Sequence, residues 1–573
     1  MILQALTQLF EDLAEQGKIS RPGWAPAKIG YALCLDKNGS LVQVIPQFVE
    51  EQAGKKTVLR PRKMELPAAV TRTVGVLPNF LWDNASYILG ADEKGKPERS
   101  MTCFRTCAQL HHQLLDNVDS PTARAVLSFF DTWDPARAKD EPLLADCWQD
   151  LMKGANLAFR VDGAFAQEDP LVRDAWNAYY GDVQGEQVQC LVTGRLDVAE
   201  SVHPMLKGVA GAQSSGAAIV SFNAPAFCSY GKEQSLNAPV GKYAAFAYTA
   251  ALNHLLADRD NVHRIGDTTV VCWAEGAEPE YNAFSNFLLF GDPAPEQIST
   301  DDLRSTVDRL AQGLPCEARH LDPSRRFYIL GLAPNAARLS VRFFYNSTFG
   351  ELMRNVSEHH KRLEIAGSFY SIMPLWALLR ETVNMNTTDK SPSPVMAGAV
   401  ARAIFTGTAY PASLLEAAML RIRAEREITP GRAAILKAYY LKNPNPLCPK
   451  EVLTVGLNEN STNIPYTLGR LFAVYEAVQE AANPGINATI KDKYFNSASA
   501  TPGVIFPILD NLCQKHLRKL DTGLRVFFDR QIGQIKNILG ETNPTRLSLP
   551  EQGSFNLGYY HQKQTRYIKK EDK

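Results

Sequence analysis

The chain has 573 residues, a formal net charge of +0 at pH 7 and an apolar content of 45%, which is enough to bury several cores. At about 150 residues per domain, this length predicts three or four domains. The composition excludes an intrinsically disordered chain, and no apolar run approaches the roughly 20 residues that span a bilayer. We therefore expect a globular protein without a membrane role.

The cysteines and the first residues indicate the compartment. Ten cysteines are scattered without a CxxC pair or a dense framework, which is typical of reduced thiols in a cytosolic protein. Residues 2–13 predict a core helix with Leu6, Leu9 and Leu13 on one face, and acids stand where a signal peptide carries bases. We therefore expect a cytoplasmic protein.

The next segment combines a hairpin with a basic cluster. Residues 29–35 and 41–45 are apolar runs on either side of Asn38-Gly39, which predicts a β-hairpin. A group of cations follows within eighteen residues, a density suited to gripping a phosphate backbone. Its members are Lys55, Lys56, Arg60, Arg62, Lys63 and Arg72.

The neutral total conceals an uneven distribution of charge. Residues 131–200 are rich in acids, whereas residues 421–450 and 513–573 are rich in bases. Such zones are expected where certain faces follow a phosphate backbone. Ordinary solvated helix faces produce similar runs of charge, so both interpretations stay open.

The most distinctive segment is residues 208–240, GVAGAQSSGAAIVSFNAPAFCSYGKEQSLNAPV. Small, amide and hydroxyl side chains surround a short apolar core at residues 218–222, which we expect to form a strand. Amide side chains can read base edges, and lysine can contact a phosphate. The segment is therefore interpreted either as a recognition loop or as a polar loop that caps a sheet edge.

The remaining pattern predicts an α+β fold, in which a mixed α/β N-terminal region with antiparallel strands precedes an α-helical bundle. Expected helices are 104–115, 123–133, 143–157 and 243–256, and expected strands are 268–273, 327–332 and 339–344. Helices dominate from about residue 350, and Thr429 and Thr501 each precede a proline suited to a first helical turn. We predict domains at 1–350, 351–450 and 451–573.

Motifs for catalysis and metal binding are missing from the sequence. It contains no GxxxxGK[ST] phosphate loop, no HExxH and no GxSxG. Cys103, Cys107 and His111 would share one helix face at i, i+4 and i+8, but three ligands spread that far cannot reach one ion. We expect no enzyme, no metal and no cofactor.

Several stretches together resemble the large subunit of the type I-C CRISPR Cascade complex, the Cas-eight-c family of the Csd type. The resemblance is carried by GAQSSGAAIVSFN and FCSYGKEQSLNAPV, and by MILQAL, GKKTVLRPRKMELP, PNFLWDNASYILG, CLVTG, ILGLAPNAARLSVRFF, YTLGRLFAVYE and LGYYHQKQ elsewhere. These stretches run from end to end of the chain.

This resemblance implies a subunit of a crRNA-guided antiviral surveillance complex. Such a subunit recognises the protospacer-adjacent motif (PAM) on double-stranded DNA and promotes duplex opening and R-loop formation. It also helps to recruit a helicase-nuclease that performs the cleavage. The implied partners are the crRNA, target DNA, the Cascade backbone and crRNA-handle subunits, the helicase-nuclease, and a small subunit translated internally from the same gene.

Carried over to matching positions, the resemblance assigns a role to each candidate residue. PAM recognition falls to Asn79, Gln213, Ser214, Ser215, Lys232 and Asn237. Contact with the DNA backbone falls to Lys55, Lys56, Arg60, Arg62, Lys63, Arg72 and Lys207. The alternative function is a structural scaffold subunit of a ribonucleoprotein that reads no bases.

Overall fold

A computed structural model describes residues 1–53, 56–70, 72, 75–92, 97–181, 185–222, 224–258, 261–292, 299–388, 390–540 and 543–567. The chain divides into two compact units, one largely from residues 3–204 and 222–251 and the other largely from 205–221 and 252–573. The α+β prediction is confirmed, with strands concentrated toward the N-terminus and a helical C-terminal part. Among the described residues, no helix is both long and apolar enough to cross a membrane.

The first unit is built on two main sheets. Its strands are β1 (Trp24–Ile29), β2 (Tyr31–Leu35), β3 (Leu41–Pro46), β4 (Phe48–Ala53), β5 (Lys56–Pro67), β6 (Trp82–Asn84), β7 (Asn156–Val161), β8 (Ala164–Phe165), β9 (Gln187–Gln189) and β10 (Leu196–Val198). One sheet has the order β1-β5-β4, and the other has the order β3-β2-β7-β6 with β8 paired to β7. The β2–β7 pair is parallel, while β1–β5 and β4–β5 are antiparallel.

Helices cover the second of these sheets and complete the unit. They are α1 (Ile2–Glu15), α2 (Ala85–Ile88), α3 (Pro97–Leu115), α4 (Pro121–Thr132), α5 (Trp148–Met152), α6 (Pro170–Gly181) and α7 (Lys242–Ala257), which continues into the second unit. The predicted helix at 2–13 is confirmed, and Leu6, Leu9 and Leu13 are buried as expected. Their burial follows from the helical spacing of the apolar residues.

The predicted hairpin is confirmed as β2 and β3. Its turn is held by Asp36, whose carboxylate accepts hydrogen bonds from the backbone N–H groups of Asn38 and Ser40 at 2.9 and 2.8 Å. Gly39 has a φ of 83°, and a Cβ atom there would lie 2.6 Å from the Ala125 carbonyl oxygen. The Asn-Gly pair is therefore required by both the turn geometry and the packing of α4.

The predicted helix at 143–157 is wrong. A short 3₁₀ turn at Pro142–Leu144 and helix α5 occupy its first part, and Gly154 with a φ of 100° separates α5 from strand β7. Strand β7 is central, with β2 on one side and β6 on the other. Its apolar run is buried on both faces, so its periodicity cannot be distinguished from that of a buried helix.

The second unit combines one antiparallel sheet with a large set of helices. The sheet has the order β11-β12-β13-β14, formed by β11 (Val262–Ile265), β12 (Thr268–Ala274), β13 (Arg326–Asn335) and β14 (Arg338–Thr348). The helices are α8 (Pro279–Phe290), α9 (Thr300–Ala311), α10 (Phe349–Leu363), α11 (Leu375–Arg380), α12 (Pro394–Thr406), α13 (Ala412–Glu425), α14 (Pro430–Lys442), α15 (Ile464–Ala482), α16 (Ile490–Ala500), α17 (Pro502–Leu517), α18 (Thr522–Leu539) and α19 (Leu549–Gln564).

One hydrophobic core connects this sheet to the helical part. The core cluster includes Ile329 of β13, Val356 of α10, Leu436 of α14 and Phe472 of α15, all buried. The compact division places residues 205–221 and 252–573 largely in one unit, and the domain boundaries at 350 and 450 stay a prediction. Sequence periodicity predicts which faces of an element are apolar, but it does not predict which elements share a core.

The predicted helix starts have different outcomes. The Thr429 hydroxyl accepts a hydrogen bond from Arg432 N–H at 3.1 Å, which confirms an N-cap at the start of α14. Thr501 precedes α17 but forms no side-chain cap, because its hydroxyl donates back to the Ser497 carbonyl at 3.1 Å. The hydroxyl has a competing acceptor in the preceding helix, which the sequence spacing does not reveal.

Helices α15 and α19 approach each other closely through two glycines. A Cβ atom on Gly469 would lie 2.0 Å from the Phe555 carbonyl oxygen, and one on Gly558 would lie 2.0 Å from the Tyr466 carbonyl oxygen. The same interface carries a hydrogen bond of 2.5 Å from the Tyr559 hydroxyl to the Glu476 carboxylate. Close backbone approach therefore requires glycine at both crossing positions.

We predict opposite effects for two glycine substitutions. Gly469→Ala should lower the free energy of unfolding by about 3 kcal/mol, since its Cβ would overlap backbone. Gly533→Ala is the control, because a Cβ there meets no atom within 4 Å and should raise stability by up to about 1 kcal/mol. Denaturant unfolding of both variants measures this, and equal stability of the two would contradict the assigned close approach.

Cys103, Cys107 and His111 lie together in the core of the first unit. The ring of His111 accepts a hydrogen bond from Leu81 N–H through Nε2 at 3.0 Å, while Nδ1 lies 2.8 Å from the Cys107 carbonyl oxygen. Among the described residues, no group of three or more histidine, cysteine or acidic side chains is arranged to hold a metal ion. These residues therefore pack the core, and burial lowers the pKa of His111 to about 4.

This lowered pKa predicts a pH dependence of stability. The unfolded histidine has an ordinary pKa of 6.5, so its stabilising contribution is complete above that pH and is lost as the pH falls through about 4. The glutamine side chain of the His111→Gln variant should keep an acceptor for the Leu81 N–H and a donor for the Cys107 carbonyl. The variant should reduce the slope of unfolding free energy against pH by up to about 1.4 kcal/mol per pH unit between pH 6 and 4. Denaturant unfolding at several pH values tests this, and an unchanged slope would refute it.

Candidate nucleic-acid interface

The predicted basic cluster is centred on strand β5. One half of this strand pairs with β1, and the other half pairs with β4. Residues 56–61 of β5 pair with β4, and residues 62–67 pair with β1. The distal part is exposed, as shown by Val49 at 46% and Leu59 at 69% exposure. This hairpin, residues 48–61, is called the β4–β5 arm below.

Cations at the base of the arm face solvent on β1 and β5. Lys28 and Lys63 lie directly opposite each other in the β1–β5 register, and Arg62 is the neighbour of Lys63. All three are exposed, and none forms a salt bridge with another described residue. Like charges directly opposite on a sheet repel each other, so this pair is suited to an anion that screens the repulsion.

Further along the arm the cations are partly neutralised. Arg60 Nε lies 3.0 Å from a carboxylate oxygen of Glu51 on β4. Lys55 lies outside the described residues, and the structure describes only the backbone of Lys56. The exposed basic surface that the structure places on one face thus consists of Lys28 and Lys63. Arg62 is also exposed, but as the next residue along β5 it projects to the opposite face of the sheet. Lys28 was missed because it is distant in sequence, and strand pairing alone brings it to Lys63.

Arg72 has a structural role and does not belong to this surface. Its guanidinium forms an ion pair with the buried Asp83, donates to the Leu77 carbonyl at 2.7 Å and lies 4.1 Å from the centre of the Tyr87 ring. Burial raises the pKa of Asp83, and the hydrogen bonds from Arg72 and from the backbone of Asn79 and Asn84 lower it. These internal contacts weigh against the prediction that Arg72 grips the DNA backbone, because its donors are used inside the fold.

Asn79 is also part of this internal network. Its side chain is only 4% exposed, and its Oδ1 accepts a hydrogen bond from Val70 N–H at 3.0 Å. Its own N–H donates to the Asp83 carboxylate at 2.9 Å. The burial and bonding of this amide weigh against the prediction that Asn79 reads bases, since a buried and bonded amide presents no free edge.

The segment 208–240 is divided between the two units. Residues 208–221 belong to the second unit, and residues 222–240 belong to the first. The predicted strand at 218–222 is wrong, because Ala217 and Ala218 form single bridges to Leu206 and Arg338 and the chain then bends. The segment is therefore two loops with different environments.

The loop at 205–218 caps one end of the β11–β14 sheet. Ala210 N–H donates to the Thr269 hydroxyl at 3.0 Å, and Ala218 N–H donates to the Ala337 carbonyl at 3.1 Å. Gly216 has a φ of 106°, and a Cβ there would lie 2.7 Å from the Cβ of Met205. This geometry supports the interpretation as a sheet cap.

The same cap exposes a polar turn. Gln213, Ser214 and Ser215 are exposed at its tip, which is closed by a hydrogen bond of 2.9 Å from Gly216 N–H to the Gln213 carbonyl. Lys207 is exposed on the same loop and donates its backbone N–H to Asn253 at 2.8 Å. The cap is thus a fixed platform that presents three polar side chains and one cation to solvent.

The loop at 224–240 is held by Asn237. Its Nδ2 donates to the carbonyls of Lys232 and Gln234 at 3.0 and 2.9 Å, and its Oδ1 accepts from Ser229 N–H at 2.8 Å. These hydrogen bonds weigh against the prediction that Asn237 reads bases, because its amide already bonds the backbone of its own loop. The Lys232 side chain remains exposed at the surface of this loop.

The basic zone at 421–450 contributes to the interior and is not a continuous phosphate track. Arg432 is 4% exposed and donates to the Glu425 carboxylate at 2.5 Å. Lys437 is 3% exposed, and its ammonium group donates to the carbonyls of Arg362 and Glu364 at 3.1 and 2.6 Å. Charge density along the sequence therefore overstated the exposed charge in this zone.

The whole sequence was compared with known protein families. It matches the family described as CRISPR-associated protein (Cas_Csd1) over residues 6–567. The chain belongs to this CRISPR-associated family. No curated protein matches the chain. The matched residues include most of both compact units, so the sheets and the helical part belong to one CRISPR-associated protein.

Two substitutions should separate structural cations from surface cations. Arg72→Ala leaves the Asp83 carboxyl buried without its partner and should lower the free energy of unfolding by about 3–5 kcal/mol. Lys63→Ala is the matched control, and its effect should stay within about 0.5 kcal/mol, because Lys63 is exposed. Urea unfolding measures both, and a stable Arg72→Ala variant would contradict the structural role of Arg72.

Proposed function

We propose that this chain is the large subunit of a type I-C crRNA-guided Cascade complex. In this role it recognises the PAM on duplex DNA, promotes duplex opening and R-loop formation, and helps to recruit the helicase-nuclease. The observation that carries the proposal is the cross-strand pair of Lys28 and Lys63, exposed and without a salt bridge to a described residue, in a CRISPR-associated chain. Phosphate groups are the anions that such a group would meet on DNA.

Two surfaces have different proposed tasks. The pair of Lys28 and Lys63 contacts the DNA backbone. Arg62 on the other face of β5, and Lys207 and Lys232 on their own loops, are further backbone or PAM contacts. The turn of Gln213, Ser214 and Ser215 inspects base edges, since amide and hydroxyl groups hydrogen bond to them. We also propose that the chain has no catalytic role and needs no cofactor, and that its partners are the crRNA, the other Cascade subunits and the helicase-nuclease.

The scaffold function remains the second candidate. It is favoured by the internal hydrogen bonds and ion pair of Asn79, Arg72 and Asn237, which weigh against three of the predicted DNA contacts. Exposed apolar residues on α17 and α18, including Val504, Val526 and Phe527 at 61%, 59% and 54% exposure, would suit a protein partner. Gel shifts of the assembled complex on duplexes with and without the PAM separate the two functions.

The backbone contacts predict a sequence-independent effect. Replacing Lys28 and Lys63 by Ala should lower the affinity of the complex for every duplex and reduce the magnitude of the salt slope by about 0.9 per lost phosphate contact. The control is Arg124→Ala, an exposed arginine paired with Asp119 at 2.7 Å. Titrations at several salt concentrations measure the slope, and an unchanged slope would remove this surface from the DNA interface.

The polar turn predicts a sequence-dependent effect. Gln213→Ala should weaken binding to duplexes that carry the PAM by roughly 1–3 kcal/mol and should leave non-specific binding unchanged. Paired gel shifts with matched and mutated PAM give the ratio. Equal loss on both duplexes would show that Gln213 does not read bases.

The proposed internally translated small subunit would correspond to about residues 455–573. No methionine follows Met419, so such a product would begin at a non-AUG codon or further upstream. In the full chain these residues share their core with residues 252–450. Intact-mass measurement of the purified complex would reveal a separate C-terminal species if one exists.

A further inference from the structure

A cavity of about 430 Å³ opens on the second unit at the edge of its sheet. It lies where edge strand β11, the end of α8, helix α11 and the loop after α11 meet. Its volume is within the range of small-molecule sites in proteins. None of the DNA-contact assignments above uses these residues.

Aromatic rings form the apolar wall of this cavity. The rings of His263 and Phe290 stack with centroids 4.0 Å apart and planes inclined by 7°. The ring of Trp376 also lines the cavity and is 49% exposed. A half-exposed indole beside a stacked ring pair provides a flat face on which a planar group can stack.

Cations surround the aromatic wall. Arg264, Arg380 and Lys390 line the cavity, and all three are exposed. In the described part of the chain, none of them has a salt-bridge partner. The carboxylate of Asp292 lies 3.6 Å from Nε2 of His263. The exposed lining therefore favours a ligand that combines a planar ring with negative charge.

A second aromatic group extends this surface outward. Phe369 is 92% exposed, and the Tyr370 ring meets Trp376 edge to face with centroids 6.3 Å apart. Their loop is anchored, since Ala366 N–H donates to the Val455 carbonyl at 2.8 Å and the Tyr560 hydroxyl donates to the Ala366 carbonyl at 2.6 Å. Anchoring holds a large apolar ring in water, which is costly unless a partner covers it.

We propose that this cavity binds an unpaired nucleotide, with its base stacked on Trp376 and its phosphate held by Arg264, Arg380 and Lys390. Phe369 and Tyr370 then provide a stacking surface for a neighbouring base of a single strand. Base stacking on aromatic rings combined with cations along the backbone is the usual basis of single-strand binding. This site stands on the cavity alone and does not depend on the recognition of duplex DNA.

The experiment measures binding of a fluorescein-labelled oligothymidylate to the full chain by anisotropy. Trp376→Ala should weaken binding by about ten-fold, and Trp376→Phe should keep most of the affinity because it keeps a ring. Arg264→Ala combined with Arg380→Ala should weaken binding and reduce its salt dependence. The control is Tyr179→Ala, which removes a ring of similar exposure (44%) on α6 and should have no effect.

Two further experiments locate the site and identify the ligand. Photocrosslinking with an oligomer that contains 5-iododeoxyuridine should label the peptide that contains Trp376. Thymidine monophosphate as a competitor separates the sources of the nucleotide, since displacement indicates a site for free nucleotides and no displacement indicates a site that needs a strand. Wild-type affinity of a folded Trp376→Ala variant, or crosslinks confined to other peptides, would overturn the proposal.

Discussion

The buried carboxylate of Asp83 organises the first unit. It accepts hydrogen bonds from Asn79 N–H and Asn84 N–H and pairs with Arg72. An isolated charge at this depth would be strongly unfavourable, so all of these donors must be in place together. This requirement fixes residues 79–84 against helix α3, where Leu81 adopts a φ of 65° and donates its N–H to His111. Strand β6 and helix α2 continue directly from this network.

Several residues that were predicted to contact DNA instead bond groups inside the fold, in this network or elsewhere. Amide and guanidinium groups are equally suited to bases, phosphates and buried carboxylates, so their identity does not reveal which partner they have. Asn79, Arg72 and Asn237 satisfy groups inside the fold. The predicted candidates that stay exposed include Arg62, Lys63, Lys207 and Lys232, and the turn at Gln213.

The second unit has a packed interior and two exposed features. Glycine contacts hold α15 against α19, and the common core joins the helical part to the β11–β14 sheet. The sheet in turn carries the polar cap at residues 205–218 at one place and the aromatic cavity beside β11 at another. Both features depend on the sheet for their rigidity, because neither contains enough apolar surface to form a core of its own.

Local patterns in the sequence determined the α+β class, helix α1, the β2–β3 hairpin, and strands β12, β13 and β14, because apolar period and turn residues act over short distances. They also indicated the basic cluster on β5. Only the tertiary structure decided which cations stay exposed, how Lys28 comes to face Lys63, and how Trp376 meets His263 and Phe290 at one cavity. Those outcomes depend on strand register and on burial, which arise from contacts between residues far apart in the chain.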